Sequence, residues 1–312
     1  MSCLLVVYAV HMCQVVTACN PEVNSSSLNP TARQETLTDA TGFIIPFLLE
    51  KGLLAPSAEG KGFSIGLLIR IVKTTKSSLQ AHLVQLISVL IESMSAMEPQ
   101  TLQYMQFHTE RLQISNEELE TTRLKLSQQS PLQDALDQCL DALQAPACAG
   151  MVPEVVQNLA TQTKSGVGLA TRVAAVRSLL VIITSDAHDR MGQAVTQKCF
   201  RSLISSVVPG PPPSSSLKKE LMSALGALSK VCDASFLTEM ITLLLAFYRQ
   251  EGVHSVDLVI TVAECIHAII SKAGDSLQEE TAMWREVLGC AYVGSFDEVS
   301  WQLHLLILRH SY

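Results

Sequence analysis

The sequence predicts an all-α chain of stacked helical hairpins, an α-solenoid, on three observations. Aliphatic residues recur at helical spacing from residue 42 almost to the end. Several of the segments so marked are apolar on nearly every side, and such a helix must be covered by neighbours. Three of these buried segments share one register at a nearly constant spacing. Composition agrees: 48% of the 312 residues are hydrophobic, 16% charged and 5% aromatic. An aliphatic, aromatic-poor interior suits helices packed through Leu, Ile, Val and Ala, and argues against an all-β sandwich.

Taken in order, residues 2–19 (SCLLVVYAVHMCQVVTAC) form the one stretch that mimics a targeting segment. No Lys or Arg precedes it, and His11 and Gln14 interrupt it, so it reads as a solenoid helix, with a secreted or anchored chain as the alternative. Residues 20–40 carry Asn, Ser, Pro and Thr without period and read as a loop. The division is therefore 1–41, an N-terminal apolar helix and polar loop, and 42–312, the helical repeats.

Within the repeats, residues 42–52 read as a helix capped by Gly52. After a turn at Pro56-Ser57 come an apolar helix over 63–72 and an amphipathic one over 78–94. Residues 95–130 are a polar excursion, with Tyr104, Phe107 and Leu112 scattered among Gln, Glu and Thr. Ser115-Asn116-Glu117-Glu118 is a capping box that opens a polar helix over 117–127. Ser130-Pro131-Leu132-Gln133 starts the next, with Ser130 as N-cap, Pro131 first in the helix and Gln133 reaching back. It ends near Leu143 and is stopped by Pro146.

The central hairpin spans 151–189. Val152, Val155, Val156 and Leu159 line one face of its first helix, Pro153 opens it, and Ser165-Gly166-Val167-Gly168 breaks it. The second helix is apolar all round but for a strip of Thr171, Ser178 and Ser185 beside Arg177. A helix over 193–207 leads to a Pro/Ser loop at 209–216. Helices follow at 217–231, 236–249, 255–272, 277–290 (opened by a second capping box at Ser276) and 299–309. Leu179–Ile183, Ala224–Leu228 and Cys265–Ile269 superpose. Ile183 and Leu228 lie 45 positions apart, and Leu228 and Ile269 lie 41. That is the period of HEAT or armadillo hairpins.

Charge and motifs exclude several functions. The net charge is -7 with no basic run, which argues against nucleic acid as a partner. Nine cysteines, none in a CxxC pair, cannot form a complete disulfide framework; a reducing cytoplasmic or nuclear location is expected. The eight histidines form no HExxH and no Cys/His cluster of zinc spacing. Asp186-Ala187-His188-Asp189 is the one compact acid–histidine group; it reads as a solvated turn, with a catalytic or metal role needing partners from elsewhere. His267, inside an apolar helix, reads as a core histidine. Lys164-Ser165-Gly166-Val167-Gly168 and Gly60-Lys61-Gly62 both lack the order and strand–helix setting of a phosphate loop. No catalytic, cofactor or metal residues are assigned.

Six strings carry a family resemblance: IPFLLEKG from Ile45, LIESMSAMEPQ from Leu90, Val152-Pro153-Glu154, SGVGLAT from Ser165, LMSALGAL from Leu221 and Ile266-His267-Ala268-Ile269. In colinear order over about residues 43–293, the chain resembles the very large HEAT-repeat proteasome adapter and scaffold proteins. It departs from their pattern at 1–42, at 209–216 and after about Val293, and its length corresponds to an interior-to-C-terminal fragment. The resemblance implies a non-catalytic scaffold that contacts the proteasome core and its regulatory cap and links them to other cellular components. It assigns no partner-binding residues. A helical-repeat adaptor of nuclear transport or vesicle trafficking is the alternative on the same fold.

Overall fold

The computed structural model describes residues 41–53, 57–74, 79–96, 98–208, 214–251, 256–277, 283–285 and 287. The expected helix over 2–19, the loop over 20–40, most of the Pro/Ser loop, the completion of the capping box at Ser276 and the helix over 299–309 lie outside them, as does most of the helix over 277–290. The chain divides into two compact units, Met1–Val155 and Val156–Tyr312. All regular structure among the described residues is helical, in line with the all-α solenoid expected.

In the first unit, helical residues 41–47 run into a π-helical turn, Leu48–Gly52. Gly52 is not its cap. Leu53 caps the turn through its N–H on Leu48 O at 3.0 Å. The missing side chain of Gly52 instead admits Ser64, whose Oγ lies 2.5 Å from where a β-carbon would stand. The helices that follow are α1 (Ala58–Thr74), α2 (Leu83–Ala96), α3 (Gln100–Phe107), α4 (Asn116–Gln128) and α5 (Pro131–Leu143). Gly60-Lys61-Gly62 falls inside α1, so it forms no loop.

Helix α5 is the centre of this unit. Leu132, Leu136, Cys139, Leu140 and Leu143 form its buried stripe, while Asp134, Asp137 and Asp141 face out. The stripe packs on α1 and α2, which contribute Leu68, Ile71, Leu86 and Leu90 among other fully buried side chains. Ser130 Oγ accepts from Gln133 N at 3.3 Å, as expected of an N-cap. Gln133, however, donates to Asp137 Oδ1 at 2.8 Å instead of reaching back to the Ser130 N–H, which bonds to Ser127 O at 3.2 Å. At α4 the full capping box forms: Ser115 Oγ accepts from Glu118 N and Glu118 Oε2 accepts from Ser115 N. The Ser115 backbone N–H and its hydroxyl together hold the Glu118 carboxyl below the ordinary range. The polar excursion is thus helical, tied down by buried Leu119 and Leu124 and by Arg123 against Glu98 at 2.9 Å. Burial raises the Glu98 carboxyl against the pull of Arg123.

Helix α6 (Val152–Ser165) crosses the boundary between the units. The second unit continues with α7 (Leu169–Thr184), α8 (Gln193–Ser205), α9 (Ser215–Ser229), α10 (Ala234–Glu251) and α11 (Val256–Ala273). These alternate between two layers. In one layer α7 packs on α9 and α9 on α11; these are the helices that carry the three superposed segments. In the other, Ser202 of α8 donates to Ala160 O of α6 at 3.2 Å, and Phe200 of α8 meets Phe236 of α10 edge to face at 5.5 Å. The layers join where α8 packs on α9 and α10 on α11.

Two ion pairs lace the first layer: Arg177 to Glu220 at 2.7 Å, and Lys218 to Glu264 at 2.9 Å. Gly226 lets α11 come close, since a β-carbon there would stand 3.0 Å from Ala268 O and 3.2 Å from Lys272 Cγ. The polar strip expected on α7 is corrected. Thr171 and Ser178 are buried, and the outward positions are Val181 and Thr184. Small hydroxyls pass at a helix interface, whereas a helix end must find the solvent somewhere.

Cys139, Cys199 and Cys265 are buried, and desolvation pushes each thiol up to about 12. Iodoacetamide at mildly alkaline pH is expected to leave them unlabelled until the chain unfolds, because the thiolate is the nucleophile. Peptide-resolved mass spectrometry reads this directly; prompt labelling of Cys199 in the folded chain would contradict the packing.

Candidate functional site

The structure disperses the chemically suggestive residues. Asp186–Arg190 is a 3-10 turn, opened by Ser185, whose side chain accepts from Ala187 N. His188 Nδ1 lies 2.7 Å from Ser185 O and its Nε2 lies 3.1 Å from Asp189 Oδ1. Asp189 is exposed, and no third acid, cysteine or histidine converges: among the described residues no group of three such side chains could hold a metal ion. His267 is half-buried beside Lys218 and Glu264, at a small cavity of about 310 Å3. Burial lowers its pKa, and Glu264 opposes that.

The Ser165–Gly168 turn is a joint between helices. Gly166 N bonds back to Gln162 O at 2.8 Å, Gly168 adopts φ 87° to open α7, and Arg172 Nε donates to Thr163 O at 2.9 Å. Both bonds are accepted by carbonyls in the last turn of α6, so the turn serves to close that helix and start the next.

One concave feature lies on the open side of the α7–α9–α11 layer, a groove of about 740 Å3. Helix α7 supplies Val181 and Thr184, α9 supplies Ser223 and Ala227, and the helix ends supply Lys230 and Lys272. Val231 and His188 also line it. Its floor is therefore aliphatic and its rim cationic, with no carboxylate among the described residues of the lining. Lys230 and Lys272 have no ion-pair partner among the described residues, unlike Arg177 and Lys218 of the same layer. Both lysines sit at helix C-termini, where a cation also complements the helix dipole.

Reading the sequence alone did not find this groove. One signal was present: Lys230 and Lys272 lie 42 positions apart, one more than the 41 that separate Leu228 from Ile269, so they fall within one position of each other in successive hairpins.

The family model described as proteasome adapter and scaffold protein ECM29, HEAT-repeat domain, matches residues 79–249. Among curated relatives, the human proteasome adapter and scaffold protein ECM29 is 26% identical over 257 residues, 81% of this chain and 13% of the relative. The proteasome component ecm29 of Schizosaccharomyces pombe is 24% identical over 191 residues, 60% of this chain and 11% of the relative. Proteasome component ECM29 of Saccharomyces cerevisiae is 27% identical over 157 residues, 50% of this chain and 8% of the relative. The chain thus spans about an eighth or less of the length of the relatives it matches.

Proposed function

Because the chain belongs to the HEAT-repeat family of the proteasome adapter and scaffold protein ECM29, we propose that it acts as a non-catalytic scaffold segment that helps hold or regulate the proteasome. The observation that carries this reading is the family match over residues 79–249, which falls on the stacked helices from α2 to α10. Stacked hairpins present long surfaces built from repeated helix faces, a form suited to binding other proteins. In this reading the proteasome core and its cap are the partners, nucleic acid and small-molecule substrates are not, and the chain works in the cytoplasm and nucleus. Cys139, Cys148, Cys199 and Cys265 are buried and outside any disulfide, which suits those reducing compartments. Among the described residues no helix is long and apolar enough to cross a membrane.

The test is native gel electrophoresis of lysate containing the tagged chain, probed for tag and proteasome together. Co-migration is expected. Absence of the tag from the proteasome band, under conditions where the full-length relative is present in it, overturns the reading. Recovery of transport cargo or coat components in its place would move the chain to an adaptor of those pathways.

A further inference from the structure

We propose that the groove across α7, α9 and the end of α11 binds an acidic, amphipathic helical segment of a partner protein, with its carboxylates on Lys230 and Lys272 and its apolar side chains on Val181 and Val231. Charge complementarity selects this occupant. The chain as a whole carries -7, yet among its described residues the groove lining holds two lysines and no carboxylate. Elsewhere in the same layer cations find internal acids, Arg177 on Glu220 and Lys218 on Glu264. Lys230 and Lys272 find none among the described residues, so their charges stay available to an outside anion.

The floor explains why the occupant is amphipathic and not merely acidic. Val181 is 41% exposed and Val231 39%, two aliphatic side chains left open at the groove. Ser223, Ala227 and Val231 follow at four-residue steps along α9 and its end, an edge of about 12 Å. That length matches about two turns of a docked helix presenting apolar anchors at i, i+3 or i+4 and i+7. The stem of Lys272 lies against α9 at Gly226, where a β-carbon would stand 3.2 Å from its Cγ, and this contact steadies the charged end at the rim. Helix-dipole compensation alone would place lysines at these ends, but it would not leave a cavity of about 740 Å3 with an open aliphatic floor between them. The groove stands on its own geometry, whichever assembly the scaffold serves.

Fluorescence anisotropy tests the proposal with the full chain and three labelled synthetic peptides of about three helical turns. One carries Leu on one face with Glu on both flanks, the second has every Glu replaced by Gln, and the third is polyglutamate. The Leu/Glu peptide is expected to bind best, and Lys230→Glu/Lys272→Glu to weaken it by about tenfold or more at low salt. Lys230→Gln/Lys272→Gln should weaken it less, with unchanged circular dichroism in both variants. Val181→Ser should weaken the Leu/Glu peptide and leave polyglutamate unaffected. Equal binding by the charge-reversed chain, or polyglutamate binding as tightly as the Leu/Glu peptide, overturns the proposal.

Discussion

Phe200→Ala is expected to cost about 3–5 kcal/mol, the usual loss for truncating a fully buried aromatic. Phe200 has no exposed surface, and its ring meets Phe236 at an interplanar angle of 81°. The Arg201 guanidinium lies 4.9 Å above the Phe236 ring on the same contact. Phe200 is therefore the buried part of the contact between α8 and α10, and its removal leaves a cavity that rigid helices cannot close. Because stacked hairpins depend chiefly on their neighbours, the damage should be local. Hydrogen exchange should show lost protection in α8 and α10, with α1, α2 and α5 of the first unit unaffected. Phe200→Leu should recover much of the loss. A urea midpoint unchanged in the alanine variant would refute the assignment of Phe200 as the link between these helices.

Gly166→Ala is the second large effect, expected to destabilise by about 1–3 kcal/mol through overpacking. A β-carbon at Gly166 would stand 2.4 Å from Gln162 O and 3.0 Å from Thr171 Cγ2. The carbonyl cannot retreat without losing the bond it accepts from Gly166 N at 2.8 Å. Either the last turn of α6 opens or α7 shifts. Gly66→Ala is the control, because Gly66 lies inside α1 with nothing within 4 Å of its would-be β-carbon. There the substitution should stabilise by about 0.5–1 kcal/mol, since alanine favours helix and restricts the unfolded chain. The two substitutions are chemically identical, so opposite signs in paired urea melts isolate the close approach at Gly166. Equal signs would remove the argument.

Several elements were readable from local rules. Ser115 and Glu118 form the capping box their spacing implies, and Ser130 caps α5 where expected. Gln133 broke the pattern because the Ser130 N–H it would accept from bonds to Ser127 O and its own amide finds Asp137, local alternatives that spacing does not rank. The repeat register was legible for a different reason. A helix that is apolar all round has to recur where the next hairpin needs one, and α7, α9 and α11 are neighbours in one layer. Which face of α7 stays open was not legible. Thr171 and Ser178 are polar by type yet buried, while Val181 is aliphatic yet exposed, because burial depends on where α9 lies across it.

The sequence by itself determined that the chain is helical, the caps at Ser115 and Ser130, and the repeat that stacks the hairpins, since these follow from residues a few positions or one fixed period apart. The tertiary structure alone decided the groove. Lys230, Lys272 and Val181 sit on three separate hairpins, and only the lateral packing of α7, α9 and α11 brings those helix ends side by side. The same packing leaves the two lysines without internal carboxylates among the described residues, while Arg177, midway along α7, and Lys218, near the start of α9, are paired. Charge and apolar pattern along one chain cannot fix that difference, because it arises from which helix ends meet and which are left open to a partner.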